Sequence, residues 1–92
     1  MTTEFSCSVC GFLVFESPSG GYEVCAVCNW EDDPVQLKYP ELRGGANHHS
    51  FWEAQQAILR RIPETTRGFS GYSRENRWRP MTEDEILGIN NL

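Results

Sequence analysis

The sequence predicts a small metal-stabilised α+β domain, in which a β-hairpin packs on one amphipathic helix. Three observations predict this class: two Cys-x-x-Cys pairs, a strand-like stretch between them, and a later segment with apolar residues at helical spacing. A chain of 92 residues buries only a small core. We therefore expect a bound metal ion to supply part of the stability.

The two cysteine pairs are separated by fourteen residues and have the layout of a tetrahedral metal site. Gly11 and Asn29, which follow the pairs, both tolerate a left-handed backbone, so that backbone N–H groups can point at the sulfurs. Four thiolates leave no position for water, which predicts a structural Zn²⁺ site without chemistry of its own. The predicted ligands are Cys7, Cys10, Cys25 and Cys28.

Other uses of these cysteines are less favoured. Iron in a rubredoxin-like site takes the same four thiolates, and the sequence leaves this alternative open. A redox dithiol is disfavoured because the βαβ context of a thioredoxin-like domain is missing. A disulfide is disfavoured because we expect the chain to stay in a reducing compartment.

The chain between the cysteine pairs predicts a hairpin. Residues 12–15 are aromatic and β-branched and favour a strand. Residues 17–21, with one proline and two glycines, are typical of a turn. Residues 22–24 can form the returning strand. We expect this hairpin to bring the two cysteine pairs together.

One amphipathic helix is predicted to begin after Ser50. Ser50 and Glu53 fit a capping box, and Pro63 ends the apolar pattern. The apolar residues are Phe51, Ala54, Ile58 and Ile62, with Trp52 and Leu59 beside them. The chain divides into a zinc-ribbon-like domain with this helix, residues 1–63, and an Arg-rich segment with a short C-terminal helix, residues 64–92.

The charge balance is acidic. Eight basic and thirteen acidic side chains give a formal net charge of −5. Four thiolates with one Zn²⁺ would bring it to about −7. Such a chain is repelled by nucleic acid unless positive charge is gathered locally. No secretory signal and no long apolar run is seen, so we expect a cytoplasmic protein that does not contact a membrane.

Two short motifs are candidate binding surfaces. Trp30, Glu31, Asp32 and Asp33 would present an acidic patch to a basic protein partner if they were exposed. The favoured alternative is that Trp30 packs over the metal turn and the acids cap the next turn, because acids before a proline are common in turns.

The second motif combines bases with an aromatic residue, as single-strand nucleic-acid surfaces do. It consists of Arg74, Arg77, Trp78 and Arg79. The favoured alternative is that these arginines pair with the chain's own acids, since the net charge is negative.

Several motifs together resemble the bacterial cysteine-rich CPCC family, small zinc-ribbon-like proteins whose biochemical activity is not established. The matching stretches are residues 7–11, 21–23, 25–28, 30–36 and 44–47, and the resemblance covers about residues 5–61. Ser8 and Val9 stand where the family usually has Pro-Cys. The extra family cysteine is therefore absent, which suggests that a four-ligand site does not need it.

Three functional hypotheses follow from the sequence. The first is an acidic protein-binding module, in a specific version an immunity or antitoxin-like protein that neutralises a basic toxin. The second is a nucleic-acid-binding zinc ribbon. The third is a catalytic accessory or redox protein. No triad, phosphate loop or acid pair is recognisable, so we do not predict an enzyme.

Overall fold

Residues 3–90, the part of the chain that the computed structural model describes, contain seven short elements joined by loops and turns. They are β1 (Phe5–Ser6), β2 (Leu13–Phe15), α1 (Pro34–Lys38), α2 (Phe51–Arg61), β3 (Gly68–Phe69), β4 (Tyr72–Ser73) and α3 (Glu83–Asn90). β1 pairs antiparallel with β2, and β3 with β4. Two small hairpins, one main helix and four clustered cysteines confirm the predicted class, a small α+β domain of the zinc-ribbon type.

The strand partner of β2 differs from the predicted one. Phe15 of β2 lies opposite Phe5 of β1, so this hairpin encloses the first cysteine pair. Val24 instead bridges to Glu31 across the second pair. The predicted hairpin between the two pairs is therefore wrong. Each Cys-x-x-Cys turn closes a hairpin of its own, because a short loop costs less conformational entropy than a longer one.

The helix α2 begins as predicted. The Ser50 hydroxyl accepts a hydrogen bond from the Glu53 backbone N–H at 3.1 Å, and the Glu53 carboxylate accepts one from the Ser50 N–H at 3.0 Å. Phe51 and Ile58 are buried on one face, and Phe51 meets Trp30 edge to face with ring centroids 6.0 Å apart. The apolar face of α2 thus packs against the second cysteine turn, where Trp30 follows Cys28.

The core is formed by side chains from both cysteine turns, β2 and α2. Its buried members are Cys7, Val9, Cys10, Phe12, Val14, Phe15, Cys25, Trp30, Phe51, Ile58 and Ile62. Three of the four cysteines belong to this set, so the candidate metal centre is part of the core and not an appendage to it.

Gln36 joins α1 to the loop that precedes α2. Its side chain is fully buried, and its amide N–H groups donate to the carbonyls of Leu42, Asn47 and His49 at 3.0 to 3.1 Å. Its amide oxygen accepts from the backbone and side-chain N–H groups of Asn47, both at 3.0 Å. Asn47 also bonds both backbone groups of Glu31. A polar loop without helical or strand periodicity is thereby fixed around one glutamine.

The C-terminal segment packs back on the first cysteine turn. The Glu75 N–H donates to the Gly11 carbonyl at 2.8 Å, and Gln55 of α2 exchanges two hydrogen bonds with the Met81 backbone at 2.9 and 3.1 Å. These contacts cross the boundary placed between residues 63 and 64, and the division itself stays a prediction. No helix within residues 3–90 has the length and apolar character needed to cross a membrane.

We expect Gln36→Leu to destabilise the protein by about 3 kcal/mol, because several buried carbonyl and amide groups lose their partner. Gln56→Leu, at a partly exposed position of α2, is the matched control and should change stability by less than about 0.5 kcal/mol. Urea unfolding of the metal-loaded proteins measures both values. Equal losses in the two variants would contradict the role assigned to the Gln36 amide.

Candidate metal centre

The four predicted cysteines converge on one point. Their Sγ atoms all lie within 4.8 Å of one another. Sγ of Cys7 is 3.7 Å from that of Cys28, and Sγ of Cys10 is 3.7 Å from that of Cys25. Zinc–sulfur bonds of about 2.3 Å in a tetrahedron place two sulfurs about 3.8 Å apart. The cluster therefore has the dimensions of a four-thiolate metal site.

Both cysteine turns have the same backbone geometry. The Gly11 N–H donates to the Cys7 carbonyl at 2.7 Å, and the Asn29 N–H donates to the Cys25 carbonyl at 2.9 Å. Gly11 has a φ of +80° and Asn29 a φ of +66°. The predicted left-handed backbone after each pair is therefore confirmed. It folds each turn tightly enough to aim two sulfurs at one point.

Backbone N–H groups also reach sulfur in the second turn. The N–H groups of Val27 and Cys28 donate to Sγ of Cys25 at 3.4 and 3.3 Å. Such bonds spread the negative charge of a thiolate onto the backbone, which supports a metal ligand. The expectation that backbone N–H groups point at the sulfurs is therefore met in the second turn, by residues inside the pair.

The sulfurs perturb one another strongly. The pKa of Cys25 is held well below its ordinary value, because the thiols of Cys10, Cys28 and Cys7 hydrogen-bond to its sulfur. The pKa values of Cys7 and Cys28 are raised, first by their hydrogen bonds with Cys10 and further by Cys25 and by burial. One thiolate is thus stabilised by its neighbours. A full set of four needs a cation to balance the charge.

Access to the cluster is one-sided. Cys7, Cys10 and Cys25 are buried, whereas Cys28 is partly exposed beside a shallow cleft of about 220 Å³. His48 and His49 also line that cleft, and their rings meet edge to face. Within residues 3–90, the cluster of possible metal ligands consists of the four cysteines and includes neither histidine.

A buried arginine forms hydrogen bonds with the first cysteine turn. The sequence analysis did not predict this role. Arg74 is 2% exposed, and its Nε donates to the Cys10 carbonyl at 2.8 Å. Its Nη1 donates to the Pro63 and Thr66 carbonyls at 2.6 and 3.1 Å. The guanidinium also lies 4.4 Å from the ring centroid of Phe12. Carbonyls and an aromatic face together replace the water that this cation loses on burial.

Trp78 covers the same turn from outside. Its indole N–H donates to the Ser8 carbonyl at 3.0 Å. Its ring lies so close to Gly11 that a Cβ there would come within 2.3 Å of a ring atom. Two constraints therefore require glycine at position 11: the positive φ of the backbone and the close approach of the Trp78 indole.

The predicted nucleic-acid surface is not formed as expected. Arg74 is buried, and the indole N–H of Trp78 is used within the protein. Arg79 bonds Glu85 through two N–H groups at 2.6 and 3.1 Å, which matches the alternative that these arginines pair with the chain's own acids. Arg77 is exposed. The carbonyls of a tight metal turn need donors, and the Arg-rich segment supplies them.

The predicted acidic patch is likewise not an exposed surface. Trp30, Asp32 and Asp33 are 4%, 2% and 4% exposed, and only Glu31 is partly accessible. Asp33 caps α1 and also accepts the Ala46 N–H at 2.9 Å. The pKa of Asp33 is lowered, chiefly by that bond from Ala46. The favoured alternative is confirmed for Trp30, which packs in the core, and for Asp33, which caps α1. Asp32 instead accepts the Gly20 N–H at 2.6 Å.

The comparison with protein families agrees with this geometry. The model of the family described as cysteine-rich CPCC matches residues 5–85. The chain belongs to the cysteine-rich CPCC family. A comparison with curated proteins found no significant match. The family match extends past the resemblance seen in the sequence and includes Arg74 and Trp78, the two residues that fasten the first turn. In this CPCC protein Val9, at the position of the family's extra cysteine, is fully buried in the core.

Gly11→Ala should destabilise this CPCC protein by about 2 kcal/mol more than Gly44→Ala. Both glycines have a φ near +80°, so both variants incur the same backbone strain. Only the Gly11 variant also meets Trp78, whereas nothing lies within 4 Å of a Cβ at Gly44. Chemical unfolding of the metal-loaded variants measures the difference. Equal destabilisation would show that Trp78 does not rest on the turn in solution.

Proposed function

We propose that this CPCC protein is a zinc-stabilised module that acts by binding a protein partner and not by catalysis. The observation that carries the proposal is the convergence of four cysteine sulfurs, three of them from buried side chains. Four thiolates complete a tetrahedral ion, so no ligand position remains for water or substrate. Such an ion holds the fold together and activates nothing.

Zinc is the proposed metal because four thiolates in a tetrahedron suit Zn²⁺, with iron as the alternative for the same donor set. Cys7, Cys10, Cys25 and Cys28 would hold it, and their thiolate charge would be balanced by the ion. The separations of 3.7 Å between sulfurs of different turns fit either metal. The choice between them therefore rests on the metal found in the purified protein.

We expect one zinc ion per chain, measured by elemental analysis and native mass spectrometry. Removal of the ion with a chelator should unfold the chain, and the affinity should fall as the pH is lowered, because protons compete for the thiolates. Cys25→Ser should lose the ion, whereas Ser19→Ala, in an exposed turn, should retain it. Visible absorption typical of an iron–thiolate site would show that the bound metal is iron and not zinc. A folded metal-free chain would overturn the structural role.

Exposed apolar side chains around α1 support a protein partner. Val35 and Tyr39 lie one helical turn apart and are 49% and 52% exposed, and Leu42 follows with 41% exposed. The Leu42 N–H donates to the Tyr39 carbonyl and the Tyr39 N–H to the Val35 carbonyl, both at 2.9 Å, so the three backbones are linked. We call these three residues the α1 surface. Exposed apolar side chains close together in the chain are a frequent feature of protein association sites.

The chemistry of the partner is proposed from the net charge. A formal charge of −5, or about −7 with zinc and four thiolates, favours fast association with a basic protein. Neutralisation of a basic toxin, as by an immunity or antitoxin-like protein, is the specific version that we propose. The buried Asp32 and Asp33 do not serve as contact residues in this version. Their charge contributes only to the long-range field.

The double variant Val35→Asp with Tyr39→Asp should lose the partner, because charge replaces the apolar contact. Leu87→Asp is the matched control, since Leu87 is 51% exposed on α3, and it should bind like the unchanged chain. The measurement is affinity capture from the native cells, followed by titration of the identified protein at two salt concentrations. A basic partner should bind more weakly at high salt.

A partner that binds the double variant and the unchanged chain equally would remove the α1 surface from the proposal. For the toxin version, coexpression with a toxin gene adjacent on the chromosome should restore growth. Absence of both a captured protein and such protection would overturn the binding function.

A further inference from the structure

A cleft of about 350 Å³ opens beside the first cysteine turn, and no function described above uses it. Leu37, Phe51 and Met81 contribute apolar surface to it. Ser6, Ser8 and Arg77 line it as well, and their side chains carry hydroxyl and guanidinium groups. We call it the Arg77 cleft. Its volume lies in the range of sites for small ligands or single side chains, and its lining mixes apolar side chains with charged and hydroxyl-bearing ones.

The walls of the Arg77 cleft are held by long-range hydrogen bonds. Trp78, on one wall, donates from its indole N–H to the Ser8 carbonyl at 3.0 Å. Met81, on another, is fixed by its two backbone hydrogen bonds with the buried Gln55. A ligand therefore enters a cleft whose shape exists beforehand. This lowers the entropy cost of binding.

Arg77 is the residue that gives the cleft a net positive charge. Arg79 and Glu85 both line it, but they neutralise each other in an ion pair at 2.6 Å. Arg77 is exposed, and among the side chains described for residues 3–88 its guanidinium has no hydrogen bond or ion pair. Glu75 accepts the backbone N–H of Arg77 at 2.9 Å, and its side chain does not line the cleft. A guanidinium beside apolar surface suits a carboxylate attached to an apolar group.

We propose that the Arg77 cleft binds the carboxyl-terminal apolar residue of a partner polypeptide. The side chain of that residue contacts Leu37, Phe51 and Met81, and its terminal carboxylate accepts hydrogen bonds from Arg77 and the nearby serine hydroxyls. The cleft lies at the surface, so the rest of the peptide extends into solvent. A net charge of −5 repels a polyanion but little affects a single carboxylate held by an arginine. The proposal deepens the protein-binding function and rests on it for the class of ligand.

The test is a titration of the zinc-loaded full chain followed by ¹⁵N–¹H correlation spectra. The first probe is a five-residue peptide that ends in phenylalanine with a free carboxylate, and the second is the same peptide with an amidated end. The free acid should shift the amide signals of Ser6, Ser8 and Met81, and the amide should bind at least about fivefold more weakly. Equal binding of both peptides, or no shift with either, overturns the proposal.

Arg77→Ala should reduce the affinity for the free acid to that for the amide, and Arg77→Lys should restore it in part. Arg61→Ala removes an exposed arginine that does not line the cleft, and it should leave the affinity unchanged. Retained binding in Arg77→Ala would overturn the assignment of the carboxylate partner.

Two further probes separate other occupants from the proposed one. N-acetylphenylalanine that binds as tightly as the peptide would show that the cleft takes a free acid, which overturns the peptide assignment. An oligothymidylate that displaces the peptide would also overturn the peptide assignment, because it would show that the cleft binds a single-stranded nucleic acid. If the chain captures its protein partner but the free-acid peptide produces no shifts, the cleft proposal fails while the binding function stands.

Discussion

The convergence of four sulfurs from two distant turns is the constraint on which the rest of the molecule depends. The sulfur atoms of Cys10 and Cys25, and those of Cys7 and Cys28, lie 3.7 Å apart, although the members of each pair are 15 and 21 positions apart in sequence. Among residues 3–90, no strand pair joins the two turns directly. Each turn closes its own small hairpin, and the left-handed Gly11 and Asn29 give both turns the same curvature. Side chains from these turns are also core residues, so the sulfurs can converge only as the core forms.

The C-terminal segment completes this centre from outside. Arg74 supplies donors to the Cys10, Pro63 and Thr66 carbonyls, and Trp78 covers Gly11 and bonds Ser8. A cation close to the sulfurs also opposes their negative charge. The same segment forms one wall of the Arg77 cleft, whose other walls include the first cysteine turn and α2. The cleft and the candidate metal centre therefore both draw on the first cysteine turn.

Several charged side chains of this protein form bonds within the molecule. Asp32 and Asp33 accept backbone N–H groups, Arg74 donates to carbonyls, and Arg79 and Arg43 pair with glutamates. Small domains with long loops have many backbone groups without a helix or strand partner, and charged side chains satisfy them. In the proposed binding function, the net charge of −5 acts on the partner as a long-range field, and exposed apolar residues with Arg77 supply the contacts.

Local rules were sufficient for several features. Two Cys-x-x-Cys pairs identified the cluster, since ligand spacing is a property of neighbouring residues, and Ser50 with Glu53 located the start of α2. The left-handed turns followed in the same way from Gly11 and Asn29. Strand partners, the burial of Trp30, Asp32 and Arg74, and the network around Gln36 were decided only by the tertiary structure. A buried carbonyl takes whichever donor the folded chain brings near it, and that choice depends on residues as far apart in sequence as Cys10 and Arg74.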